Sequence, residues 1–341
     1  MNRRLPAEWE KQDGVLVAWP HEETDWRHCL DEVEPVFLNI IKNISRFERV
    51  VLVAPDREIM EMRLDSAQID PDRIEIFEID SNDTWSRDFG PLTVLDDDKP
   101  RILDFAFNGW GLKFPADLDN LLTRRLHKSG AFGKTPLETI GMVLEGGSIE
   151  SDGHGTILTT AECLLGPNRN PHLTRMEIEE LLGAHFGAER LLWLHNGFLE
   201  GDDTDSHIDT LARICPDDTI VHISCNDEQD PHFPALRAMA EELKGFRTMD
   251  GRHYRLLPLP WPAPRHDREG NRLPATYANY LVINGAVLAP AYGDKNDAAA
   301  LCVLREAFPG REVIGIDCLP LIQQHGSLHC VTMQIPKGVL P

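Results

Sequence analysis

The chain has no run of about eighteen apolar residues, so no segment reads as a membrane-spanning helix. Nor does an apolar signal segment follow the first residues: Met1-Asn2-Arg3-Arg4-Leu5-Pro6 leads straight into Ala7-Glu8-Trp9-Glu10-Lys11. The expectation is a cytoplasmic protein with no membrane partner. CxxC, HExxH, a Walker loop and a GxGxxG after a strand are all missing, which removes the anchors of zinc, P-loop and Rossmann readings. The seven cysteines are Cys29, Cys163, Cys215, Cys225, Cys302, Cys318 and Cys330, an odd count that points to reduced thiols and not a disulfide frame. Positive charge is scarce. With 34 Lys and Arg against 56 Asp and Glu, the net charge is −22, which argues against nucleic acid and leaves room for a small cationic substrate.

What is present is a repeat. Gly14-Val15-Leu16-Val17-Ala18-Trp19 reads as a short buried strand. Val33, Phe37, Ile40, Ile41 and Ile44 follow at helical spacing, then Arg49-Val50-Val51-Leu52-Val53-Ala54 as a second strand. The order recurs at Gly155–Thr160, Met176–Leu182 and Leu191–Leu194. It recurs again where Tyr280–Ile283 and Ala286–Ala289 form a hairpin across Asn284-Gly285, followed by a helix over Asp297–Phe308 and a strand over Glu312–Ile316. Weaker copies fit at 75–140 and 207–260. About five strand–strand–helix–strand units of roughly fifty residues fill the chain without a linker. The proline-dense Leu257–Pro264 reads as a surface loop. Five such units close most naturally into a ring with a central site; an open two-lobed α/β sheet is the alternative.

Five segments carry polar residues that loops do not require. Asp83-Thr84-Trp85-Ser86-Arg87-Asp88-Phe89-Gly90-Pro91 sets an acid and a base between an aromatic residue and a Gly-Pro turn. Leu144-Glu145-Gly146-Gly147 places a carboxylate against glycines that admit close backbone approach. In Asp202-Asp203-Thr204-Asp205-Ser206-His207-Ile208-Asp209, an extended backbone would turn His207 and Asp209 to one face. Asp294 follows a strand, and Cys330 opens a final apolar strand. Taken singly, each also reads as a turn, a solvated loop or an inert core thiol. Taken together, a Cys, a His and several acids from different repeats could meet on one axis. A thiolate needs a cationic neighbour. A bound guanidinium or amidinium held by carboxylates would provide one. A papain-like amide hydrolase would need the Cys and His but no ring of acids.

Trp85-Ser86-Arg87-Asp88-Phe89-Gly90-Pro91, Glu145-Gly146-Gly147, Asp205-Ser206-His207-Ile208-Asp209 and His329-Cys330-Val331-Thr332 resemble, in order and spacing, the signature blocks of the agmatine deiminases. These belong to the group of bacterial peptidyl-arginine deiminases in the guanidino-group-modifying superfamily. Asn108-Gly109-Trp110-Gly111 and Asn168-Arg169-Asn170-Pro171 also fall where that family has such segments. The resemblance covers about residues 7 to 336. It implies one catalytic domain over 1–341, folded as a five-bladed α/β propeller (the pentein fold) with pseudo-fivefold ββαβ repeats around a central active site.

The resemblance further implies Cys330 as nucleophile, His207 as acid and base, Asp88 and Asp209 as guanidinium ligands, and Glu145 as the group that holds His207. Trp85, Asp203, Asp205, Arg87 and Asp294 are the candidates for contact with the rest of the substrate, with Arg213 a further arginine to face a carboxylate. No metal and no organic cofactor is called for, and a homo-oligomer is compatible with it. The implied reaction hydrolyses agmatine to N-carbamoylputrescine and ammonia through an amidino-thioether on the cysteine, on the way to putrescine. Deimination of free or peptidyl arginine, and amidino transfer to an amine, are the alternatives. A binding protein of the same fold that had lost the chemistry should lack the Cys, the His or an Asp, and all are here. One departure bears on substrate preference: Gln324-His325 stand before Gly326 where the family often has glycines.

Overall fold

The structure, a computed structural model, describes residues 3–341. Five sheets share one construction, and a two-stranded ribbon, Arg265–His266 with Arg272–Leu273, stands apart from them. In each of the five, two antiparallel strands are followed by a helix and a third strand parallel to the second. One sheet joins Leu92–Asp96, Lys99–Ala106 and Leu137–Val143. The next joins Ile149–Ser151, Thr156–Thr160 and Arg190–Leu194. Then come Ala212–Cys215, Thr219–Ile223 and Arg255–Leu259, and Leu281–Ile283, Ala286–Ala291 and Glu312–Asp317. The remaining sheet is assembled from distant parts of the chain. Met333–Pro336 pairs antiparallel with Gln12–Ala18, which runs parallel to Arg49–Ala54.

Parallel neighbours need a crossover, and an amphipathic helix provides it. Helix Leu30–Ser45 buries Val33, Phe37, Ile40, Ile41 and Ile44, the stripe marked in the sequence. The Asn284-Gly285 hairpin forms as expected, with Ile283 paired to Ala286. Its asparagine also reaches the neighbouring sheet. The Gln12 N–H donates to Asn284 Oδ1 (3.2 Å), and Asn284 Nδ2 donates to the Gln12 carbonyl (2.8 Å).

The structure corrects three expectations. Ile74–Glu78 does not open the second unit; it adds a fourth strand to the first sheet, parallel to Arg49–Ala54. The proline-dense stretch begins as a strand, with Pro258 opposite His222. That strand lies at a sheet edge, where the missing proline N–H costs no ladder bond; only Pro260–Pro264 is irregular. The last strand starts at Met333, so Cys330 lies in the turn before it and not in the strand.

This construction positions the site. A short irregular segment precedes the first strand of every unit. Those segments carry Asp88 in the turn Ser86–Phe89, Glu145 before the turn Gly146–Ser148, Asp209 in the turn Ile208–Thr210, Asn279 before Leu281, and Cys330 before Met333. No helix among the described residues is long and apolar enough to cross a membrane.

Candidate active site

Cys330 is buried and borders a cavity of about 220 Å³ that is also lined by Asp88, Trp85, Trp110, Phe114, Asp203 and His325. Asn279 holds the Cys330 segment from two sides. Its Nδ2 donates to Cys330 Sγ (3.2 Å), and its Oδ1 accepts from the backbone N–H of His329 (2.9 Å) and Cys330 (3.3 Å). Asp209 Oδ2 lies 3.9 Å from the sulfur and accepts from His329 Nδ1 (2.7 Å), while its Oδ1 has no hydrogen-bond partner. Asp88 accepts from Trp110 Nε1 (3.0 Å) and from the Gly147 N–H (2.9 Å).

Gly147 shows how tightly these groups converge. A Cβ there would stand 2.7 Å from His207 Nδ1, 2.8 Å from Asp88 Oδ1 and 3.1 Å from Asp209 Oδ2. His207 and Asp209 do meet in one place, though not by the expected route. The segment is a one-turn helix over Ile208–Thr210, not an extended strand. His207 is fully buried, 3.6 Å from Asp88, and neither ring nitrogen is hydrogen-bonded.

The charges act on one another. Burial, then the Asp209 and Asp88 carboxylates, push the Cys330 thiol well above its ordinary range. Burial pushes Asp88 up to about 6 against the pull of His207. Burial alone would lower His207, but Asp88, Glu145 and Asp209 outweigh it and raise it. Asp209 ends below its ordinary range: burial would raise it, and the hydrogen bond from His329 overrides that. The site therefore sets a thiol raised above its ordinary range among acids with acceptor capacity to spare, Asp209 Oδ1 above all.

A family model of the Porphyromonas-type peptidyl-arginine deiminases matches residues 4–336. The chain belongs to that family. It is 34% identical to the agmatine deiminase of Pseudomonas aeruginosa (strain LESB58) across 98% of this chain and 95% of that protein. A Porphyromonas gingivalis structure provisionally named an arginine deiminase is 51% identical, with a TM-score of 0.94 over 99% of this chain and all of that one (100%). A serine-for-cysteine variant of the C. jejuni agmatine deiminase with substrate bound is 40% identical, with a TM-score of 0.92 over 99% of this chain and 97% of that one.

Within this family member, the structure brings Cys330, His207, Asp88 and Asp209 together, with Trp85 and Asp203 on the cavity wall. Burial pushes Asp203 up to about 6, with His325 opposing. Three expected contacts do not form. Arg87 is buried away from the cavity, donating to Glu8 (3.2 Å) and to Gln334. Asp205 is taken up by Lys113 (2.7 Å) and Arg169. Asp294 accepts from the N–H groups of Ala263 (3.0 Å) and Asn296 (2.8 Å) and organises a loop. Arg213 likewise lies outside the cavity, between Glu150 and Glu8. Glu145, fully buried, accepts from Arg169 Nε (3.0 Å) and makes no hydrogen bond to His207.

Two groups have the spacing of metal ligands: Glu145, Cys163 and His207, and Glu8, Glu150 and His329, with ligand atoms within 4.8 Å of one another in each. In both, an arginine already lies against the carboxylates, Arg169 on Glu145 and Arg213 on Glu8 and Glu150. Each guanidinium provides the positive charge that a metal would bring.

Asn279 and His329 escape the sequence reading. Asn279 was findable, because it occupies the place in its unit that Asp88, Glu145, Asp209 and Cys330 occupy in theirs. His329 gave no separate signal beside the cysteine.

Proposed function

We propose that the protein is an agmatine deiminase, a hydrolase of the guanidino C–N bond. One observation carries the choice of substrate. The cavity at Cys330 is lined by Asp88 deep in the site and by Glu23, Asp25, Asp83 and Asp203 elsewhere, and no Lys or Arg is among its described lining residues. A substrate with a cation at each end suits such a cavity. An α-carboxylate would meet acids and no guanidinium fork.

A guanidinium lying between Asp88 and the free Oδ1 of Asp209 would present its central carbon to Cys330. Its positive charge would offset the acids that keep the thiol protonated, so the substrate itself would favour the thiolate. The thiol's proton passes to solvent, and sulfur attack gives a tetrahedral adduct. His207, charged, gives its proton to the departing nitrogen, and ammonia leaves an amidino-thioether. The neutral imidazole then takes a proton from water, whose oxygen attacks the same carbon, and the C–S bond breaks to release N-carbamoylputrescine and the thiol. Glu145 acts on His207 through its charge, Arg169 fixing its direction. Trp85 packs along the methylene chain. We also read the five sheets as blades of one propeller with the site at its centre, a reading supported by the equivalent place of the five site-bearing segments.

The test is a comparison of kcat/KM for agmatine, arginine and a blocked arginine peptide, with ammonia and ureido product measured in the absence of any amine acceptor. Agmatine should win with one ammonia per turnover. Arginine or the peptide winning by tenfold overturns the substrate, and turnover only with an added amine overturns hydrolysis.

A further inference from the structure

The cavity wall at Gln324-His325-Gly326 holds a residue where the backbone favours none. The turn Leu321–Gln324 ends at His325, whose φ of 68° lies in the left-handed region that glycine enters without steric cost. Gly326 beside it is fixed by packing, since a Cβ there would stand 2.1 Å from the Trp85 ring. Strained backbone at a ligand cavity invites the question of what the side chain does there.

The imidazole bridges two walls. His325 Nδ1 donates to the Gly201 carbonyl (2.7 Å), which fixes that tautomer, and Nε2 has no hydrogen-bond partner among the described residues. Gly201 begins the loop that carries Asp203 and Thr204 on the cavity wall. Gly201 itself packs closely on the Arg272 carbonyl, which would stand 2.3 Å from a Cβ there. His325 therefore spans from the Trp85 side to the Asp203 side of the cavity.

We propose that His325 is a specificity-determining residue that roofs the Asp203 end of the cavity. A guanidino compound with a slender tail ending in an amine passes beneath it. One with a substituent on the carbon that bears the amine, such as the carboxylate of arginine or the peptide links of an arginyl residue, does not. The proposal deepens the reading of the site as one for agmatine and rests on it for the identity of the tail.

The test uses His325→Gly, which keeps the backbone conformation without strain, and His325→Asn, which tolerates it with a shorter side chain. In both, KM for agmatine should rise about fivefold or more with kcat within about threefold, because the contact is remote from the reacting carbon. The kcat/KM ratio of N-benzoyl-arginine amide to agmatine should rise at least tenfold. A second measurement needs no turnover: the ratio of Cys330 inactivation rates by an N-benzoyl-ornithine amide bearing a chloroacetamidine and by chloroacetamidine itself. That ratio should rise at least tenfold in both variants. An unchanged inactivation ratio in either variant overturns the roof. If wild type does not turn over agmatine yet the ratio rises, the substrate reading fails and the roof stands.

Discussion

At position 147 a single hydrogen decides whether the side chains of His207, Asp88 and Asp209 can share one space. Gly147→Ala would drive a methyl into His207, Asp88 and Asp209 at once. Its φ is not in the left-handed region, so the backbone itself tolerates alanine. The expected outcome is a loss of kcat/KM of at least 100-fold with a melting temperature near wild type; full activity would mean that the three groups do not work at the observed separation. Cys330→Ser should abolish turnover with the fold intact, because an alcohol does not ionise where even a thiol is held neutral. Mass spectrometry of wild type quenched in turnover should find the adduct on the peptide that holds Cys330, and an active serine variant would falsify the nucleophile. At this scale the sequence was readable wherever an acid, base or thiol stood in a block with no structural excuse. It was not readable for direction. Arg87 neighbours Asp88 in a one-turn helix, where successive side chains diverge by about 100°, so one faces the cavity and the other Glu8. Asp205, at a left-handed φ of 63°, turns to Lys113 and Arg169, partners that no local pattern announces.

At the scale of elements, helix Leu30–Ser45 links packing to the site. Phe37, fully buried on its inner stripe, meets Trp19 (6.0 Å) and Trp26 (6.5 Å) edge-on; Trp26 in turn lies 5.5 Å from Trp85 on the cavity wall. Phe37→Ala should cost about 3–5 kcal/mol of stability. It should also raise KM for agmatine, since Trp26 and then Trp85 lose their support. Urea unfolding followed by steady-state assay checks both; destabilisation with KM unchanged would show that the aromatic chain ends short of the site. The elements of this unit were plain in the sequence because its helix carries one apolar stripe and its strands, buried on both faces, are continuous apolar runs. Ile74–Glu78 was misassigned because a strand's pattern says which face is buried and not which neighbour it pairs with. Pro258 misled in the same way, since proline forbids a central strand but not an edge.

At the scale of the molecule, the buried acids set how stability depends on pH. Burial raises Asp88 to about 6, Asp83 and Glu48 to about 7 and Asp119 to about 8. In the unfolded chain such groups titrate near 4. Between about pH 4 and 8 these carboxyls bind more protons in the folded protein than in the unfolded one, and the stability they contribute falls as pH rises. His207, also raised, acts in the same direction, while His21, His185, His222 and His329, each lowered by burial, act against it and are outnumbered by the raised carboxyls. Glu8 and Asp209, held low, contribute stability that is lost only in stronger acid. Thermal melts at constant ionic strength should show a higher melting temperature at pH 5.5 than at pH 8.5. A protein more stable at 8.5 would mean that these carboxyls are ionised in the native state at neutral pH.

The pairing of Met333–Pro336 with Gln12–Ala18 also has a meaning in time. Asp88, Glu145, His207 and Asp209 are made first, and Cys330 comes 121 positions after Asp209. At roughly 5–20 residues per second, the acids and the histidine exist on the order of ten seconds before the Cys330 thiol is made. Cys330 then arrives just ahead of the strand that must find its partner near residue 12, the longest loop the chain closes among its sheets. Assembly and activation are therefore the same event: a chain stalled before that closure holds every charge of the site and cannot perform its chemistry.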